Sequence, residues 1–175
     1  MIRQGRRDAG FTLIELLIVV AIISIIAAIA VPGLLKSKMT ANETSAAITL
    51  RTTATAQVLY STTCGAGAFA SSYLILGTPP PGGTDPFVGA ELGTSATPHK
   101  SGYVFTISPG ANSIAGPNDC NGAATITSYY ATAVPETFGT SGGRSFAVNT
   151  GNTVWQLYAA TPPTEPFGPP AETVK

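Results

Sequence analysis

Hydrophobic and polar positions divide the chain into three stretches of different grammar. The first is an apolar run, Phe11–Val31, of 21 residues with one charge, Glu15. At ~1.5 Å of helical rise per residue this run spans ~30 Å, the thickness of a bilayer core. No second run of that kind follows, so the pattern predicts a single entry into a membrane. Pro32 and Gly33 then interrupt the run. Proline removes a backbone donor and its ring presses on the preceding turn, so a kink or local melting is expected at Pro32. Beyond it, Leu35, Met39, Ala46, Ala47, Leu50, Ala54 and Val58 recur at three- and four-residue steps. This is an amphipathic stripe, with Asn42, Glu43, Thr44, Arg51 and Gln57 expected off it. A helix from Phe11 to Tyr60 would be ~75 Å long.

From Ser61 the pattern changes to short alternating runs and turns. Tyr103–Ile107 reads as a strand stopped by Ser108-Pro109-Gly110, and Ala124–Val134 as one longer strand ended by Pro135. Ser145–Asn149 and Thr153–Leu157 flank Thr150-Gly151-Asn152, a hairpin with a three-residue loop. Thr78–Pro86 is loop, and the proline-rich stretch Thr161–Lys175 reads as a loose tail. The expected class is α+β, with three to four antiparallel strands packed on the second half of the helix. The organisation is then a leader (1–10), an apolar helix half (11–31), an amphipathic helix half (32–60) and a β-rich head (61–175).

Composition narrows the classes. The 175 residues bound one domain with a core. Only 10% are charged, against about a quarter in ordinary domains, and formal net charge is zero. That balance lacks the basic footprint of a nucleic-acid binder, so no direct nucleic-acid partner is expected. Arg3, Arg6 and Arg7 precede the apolar run and Lys36 and Lys38 follow it. These basic clusters nearly balance, and they tilt the N-terminus toward the cytoplasm only slightly. The only two cysteines, Cys64 and Cys120, lie in the head and fit one disulfide made in an oxidising compartment; two separate buried thiols are the alternative. A Cys64–Cys120 bridge would close a loop of about 57 residues, worth ~4 kcal/mol in the chain-entropy model.

Glu15 is the position that demands an explanation. A carboxylate in hydrocarbon costs about 2.5–3.5 kcal/mol at a helix centre, less near an end, and is functional by default. No Lys or Arg stands within one turn on its C-terminal side. Removal of the basic leader would create an α-amino group close by, and in an assembly Glu15 could pair with the amine of a neighbouring subunit. Gly10-Phe11-Thr12-Leu13-Ile14-Glu15, with the short basic leader before it and the apolar helix running to Pro32, resembles the cleavage and methylation signature of type IV pilins and type II secretion pseudopilins. The likeness covers Met1–Leu59, about a third of the chain. It implies cutting between Gly10 and Phe11 by a prepilin peptidase and methyltransferase, N-methylation of Phe11, and a role for Glu15 in subunit docking. It also implies an inner-membrane assembly platform, a lipid-held single-pass subunit before assembly, and a homo-oligomeric helical filament outside the cell afterwards. Many pilins carry their disulfide around a C-terminal loop. Cys64 and Cys120 depart from that pattern, so no receptor-binding loop is read from them.

Two other readings of the N-terminus compete. An ordinary signal peptide would use Ala28-Ile29-Ala30 as its cleavage site, but the run is long for one and Glu15 only weakens it. An uncleaved anchor is the second. No catalytic constellation is visible and no cofactor or metal is called for. His99 is the only histidine, expected at the surface, and Gly65-Ala66-Gly67 lacks the helix and lysine of a phosphate loop. Asp85, Glu91 and Asp119 are conceivable calcium ligands, more simply read as unrelated carboxylates. The chain is therefore expected to be a structural pilus subunit rather than an enzyme, with a secretion pseudopilin and a secreted or anchored binding domain as alternatives.

Overall fold

The computed structural model describes residues 10–174, so the leader residues Met1–Ala9, with Arg3, Arg6 and Arg7, lie outside the described residues. The chain forms two compact units, divided between Ser37 and Lys38. One helix, α1 (Leu13–Thr63), begins in the first unit and continues into the second.

In the first unit every described residue is exposed. The helical run is unbroken at Pro32 and Gly33, so local melting does not occur there. Proline removes the donor that would have reached the Ala28 carbonyl, a loss of one bond in an otherwise intact ladder. The two hydroxyls of this stretch bond back to the helix itself. Ser24 Oγ donates to the Val20 carbonyl at 2.8 Å and Ser37 Oγ to the Gly33 carbonyl at 3.0 Å.

The second unit packs the rest of α1 against antiparallel sheets. After the helix come β1 (Phe69–Ala70), α2 (Tyr73–Leu76), α3 (Ala90–Gly93), β2 (His99–Lys100), β3 (Tyr103–Pro109), β4 (Thr125–Ile126), β5 (Tyr129–Pro135), β6 (Ser145–Asn149), β7 (Trp155–Leu157) and β8 (Glu172–Thr173). Six strands form one sheet in the order β2-β3-β5-β6-β7-β8, and β1 pairs with β4 in a small second sheet. The α+β class holds, with a larger sheet than three to four strands. Alternation sets the register: Tyr103, Phe105 and Ile107 of β3 turn inward, as do Tyr129, Ala131 and Ala133 of β5 and Phe146 and Val148 of β6. They close on Ala46, Ala47, Leu50, Ala54 and Tyr60 of the helix. Alanines at four of these helix positions, Ala56 included, keep that face narrow, and the aromatic rings of the sheet supply the bulk.

Four expectations need correction. The stretch Ala124–Val134 is two strands, not one: a bend at Thr127-Ser128 sends β4 to β1 and β5 to β3. The last paired residues of the β6–β7 hairpin are Ala147 and Trp155, so its loop is longer than three residues. Glu43 and Gln57 belong to the buried face of the helix, whereas Leu35 and Val58 are exposed. The stretch Thr161–Lys175 is not loose over its described residues. Glu165 accepts from Ala111 N and Asn149 Nδ2, Tyr130 OH donates to the Pro163 carbonyl, Phe167 stacks on Trp155 at 5.4 Å, and β8 extends the sheet beside β7. Proline-rich sequence lacks periodicity, but its carbonyls still serve as acceptors, as Pro163 does for Tyr130.

Candidate functional site

The site begins where α1 begins. Thr12 precedes the first helical residue, and its Oγ1 accepts from Glu15 N at 3.2 Å. The Glu15 carboxylate turns back, its Oε2 accepting from Thr12 N at 3.4 Å and from Thr12 Oγ1 at 3.2 Å. This is a reciprocal capping box, which satisfies free donors of the first turn and sets a negative charge at the positive end of the helix dipole. Glu15 therefore has a partner within its own chain, which the sequence reading did not give it. The signal was present as a threonine three residues ahead of the glutamate, just before an apolar run. Glu15 remains exposed, and it is the only charge between Gly10 and Leu35.

Around this carboxylate the helix is apolar on all sides. Phe11, Leu13, Ile14, Leu16, Leu17 and Ile18 are more than half exposed, and the aliphatic residues onward to Leu35 are exposed to a similar degree. The helix is long and apolar enough to cross a membrane, and none of that apolar window is buried by the protein itself. Such a surface has no resting place in water. Lipid or another protein surface has to cover it.

In the head, Cys64 and Cys120 form the expected disulfide, with their Cα atoms 4.8 Å apart. Cys120 N donates to the Cys64 carbonyl at 2.9 Å beside it. The neighbouring Asp119 is buried and fully engaged: Oδ2 accepts from Tyr60 OH at 2.7 Å and Oδ1 from Asn121 N and Ala123 N. Burial, and then the contact with Asp119, pushes the Tyr60 phenol well above its ordinary range, so it stays a donor. Gly65 follows the bridge because a Cβ there would meet the Ala68 carbonyl oxygen at 2.2 Å and the Tyr60 ring at 2.8 Å. The bridge thus fixes the end of α1 to the loop before β4.

The residues considered for other chemistry are dispersed. Glu91 pairs with Lys100 at 2.9 Å, His99 with Glu136 at 2.7 Å, and Asp85 is exposed. Asp119 is occupied as described. Among the described residues no three of His, Cys, Asp and Glu come together as a metal site. Two polar anchors of the head were missed. Glu43 accepts from Arg144 Nε at 2.8 Å, from Arg144 Nη2 at 2.6 Å and from Gly143 N at 2.8 Å. Gln57 offers its amide to both backbone groups of Ala70, each at 2.9 Å, and so imitates a β partner. Both residues lie in the helical stripe by spacing; their polarity hid them.

Comparison with known proteins agrees with this geometry. Residues 5–31 match the prokaryotic N-terminal methylation motif, so the chain carries at its apolar helix the signature that the resemblance suggested. Two relatives are type IV major pilins by name. Type IV major pilin protein PilA of Myxococcus xanthus is 51% identical over 55 residues, 31% of this chain and 25% of that protein. The type IV wide pilus major component PilA4 of Thermus thermophilus is 59% identical over 39 residues, 22% of this chain and 30% of that protein. The likeness spans less than a third of either relative.

Proposed function

We propose that this chain is the structural subunit of a type IV pilus, not an enzyme, and that it polymerises through its apolar helix once the leader is removed. The observation that carries the reading is the methylation motif over residues 5–31, set on a helix whose apolar surface none of the described residues covers. Cleavage falls between Gly10 and Phe11, and Phe11 receives the methyl group. Gly10 is exposed, and a Cβ there would meet nothing, so the bond is open to a peptidase at the membrane surface. The subunit then waits in the inner membrane, held by lipid. Transfer into a filament exchanges lipid for copies of the same helix, nearly neutral in hydrophobic energy because both surroundings are apolar. Register comes from polar contacts, with Glu15 facing the newly made amine of a neighbouring copy. Head-to-tail contacts that do not close give a filament.

The reading is tested by the mass of the N-terminal peptide of the mature protein from cell membranes. A methylated peptide starting at Phe11 is expected; one starting at Val31 would mean a secreted soluble domain and end the proposal. The Glu15→Ala variant is expected to insert in the membrane as before while sheared filaments fall about tenfold or more. Normal filament yield would remove Glu15 from assembly.

A further inference from the structure

The two halves of the Cys64–Cys120 bridge stand in different surroundings. Cys64 follows the last residue of α1, is only 4% exposed and belongs to the core cluster. Tyr60 and Gly65 are buried beside it. Cys120 is exposed, and so are Pro117, Asn118, Asn121 and Gly122 around it. Asp119 alone in that stretch is buried. The bridge therefore has one half in the core and the other half on the surface.

The loop that carries Cys120 is held by bonds that involve no sulfur. Asp119 N donates to the Ala123 carbonyl at 2.9 Å, and Gly122 N donates to the Asp119 carbonyl at 3.0 Å. Asp119 Oδ1 accepts from Asn121 N at 2.9 Å and from Ala123 N at 2.7 Å. Three further bonds tie the loop to its surroundings. Tyr60 OH donates to Asp119 Oδ2 at 2.7 Å, Asn121 Nδ2 to the Pro79 carbonyl at 3.1 Å, and Cys120 N to the Cys64 carbonyl at 2.9 Å. The last of these joins the two cysteine backbones directly. Cutting the S–S bond leaves every one of these bonds in being, so Cys120 stays outside and Cys64 inside.

We propose that thiol–disulfide exchange at this bridge runs in one direction: Cys120 is the sulfur that meets an outside thiol or disulfide, Cys64 is the sulfur that resolves it, and Asp119 is the positioning residue. Exchange needs a thiolate in line with the bond it breaks, so access decides which sulfur is attacked. In closing, the Cys120 thiolate attacks a disulfide donor. A mixed disulfide forms and one donor thiolate leaves. Cys64 then gives its proton to solvent, attacks Cys120 Sγ and expels the second donor thiolate. The chain loses two electrons and two protons, and the donor becomes two thiols. In opening, an outside thiolate attacks Cys120 Sγ, and Cys64 leaves as a thiolate and takes a proton. A second outside thiolate attacks the outside sulfur of the mixed disulfide, frees Cys120 and completes an outside disulfide. Attack on Cys64 Sγ would require approach through the core, which the packing there closes.

The test starts from the bridged full chain in detergent micelles, so that the head is folded when the attack occurs. Reduced glutathione opens the bridge, N-ethylmaleimide stops the reaction at intervals, and peptide mass locates each label. The early product is expected to carry glutathione on Cys120 and maleimide on Cys64, in about tenfold excess or more over the reverse arrangement. Equal amounts of the two, or an excess of glutathione on Cys64, would overturn the proposal. In concentrated urea the preference is expected to vanish; one that persists there would belong to the local sequence, against the proposal. Asp119→Ala frees the loop and should cut the preference to about threefold or less. Asp119→Asn keeps an acceptor oxygen for Asn121 N and Ala123 N and should restore it. A native preference in Asp119→Ala would remove Asp119 from positioning. If Asp119→Ala does not fold, Tyr60→Phe, which deletes only the bond to Oδ2, carries the same expectation and the same refutation.

Discussion

The two parts of α1 show the same secondary structure put to opposite uses. From Leu16 to Leu35 the helix is apolar on every side and none of the described residues covers it; from Lys38 to Thr63 it buries a stripe containing glutamate, glutamine, threonines and alanines. The more hydrophobic part is the exposed one. Burial is thus decided by which surfaces have a partner within the chain. Hydrophobicity without such a partner points to a partner elsewhere. In the head, polar groups are buried because each has its bond; no buried side-chain nitrogen or oxygen lacks one among the described residues.

That contrast can be broken by substitutions that act on one part alone. The largest loss in the head is expected from Cys64→Ser, about 4 kcal/mol in the chain-entropy model, read as a lower urea midpoint under non-reducing conditions. An unchanged midpoint would deny the bridge any stabilising role. Glu43→Ala leaves Arg144 half-buried without its carboxylate and should cost about 3 kcal/mol by the same measurement. Gln57→Leu keeps the volume but strands both backbone groups of Ala70, and about 2 kcal/mol is expected. Alkaline pH should act on the head as a whole. Tyr60, Tyr73, Tyr103, Tyr129 and Tyr130 all have phenols raised from 10.0, chiefly by burial, Tyr130 to about 12. Raised folded-state values mean that the unfolded chain releases these protons first. Their contribution is intact below pH 10.0 and is lost as pH climbs past it. A urea midpoint that stays level above that pH would show the phenols to be freely ionisable. The smallest effect is expected from Ile18→Ala, within about 0.5 kcal/mol on head unfolding, because Ile18 is exposed and belongs to the other unit. A larger shift would abolish the distinction between the two parts.

The sequence was most legible where one physical rule governed a long stretch. The apolar run, the α+β class and the strands at Tyr103 and Ser145 followed from period and composition. The disulfide followed from a count of two. Where rules competed, the reading failed. Glu43 and Gln57 sit at the right spacing for the buried stripe, but their polarity argued against burial, and only the presence of Arg144 and the Ala70 backbone reverses that argument. Ala124–Val134 is a continuous β-prone run, and no local signal says that its two halves pair with different strands. Glu15 stands out by its charge in an apolar run, but its immediate partner Thr12 is a matter of helix capping, a rule that charge and hydropathy do not touch.

Ser24 and Ser37 have a consequence for travel between phases. Each keeps its hydroxyl on a carbonyl one turn back, so neither needs water, headgroup or neighbour to complete its bonding. Apart from the Ala28 carbonyl, which Pro32 leaves without its donor, the helix from Leu13 to Leu35 carries its hydrogen-bond partners with it. Its surface is therefore nearly alike toward any apolar medium, and Glu15 is the single charged side chain along it. In the proposed passage from membrane to filament, discrimination between the two media would fall to that single carboxylate.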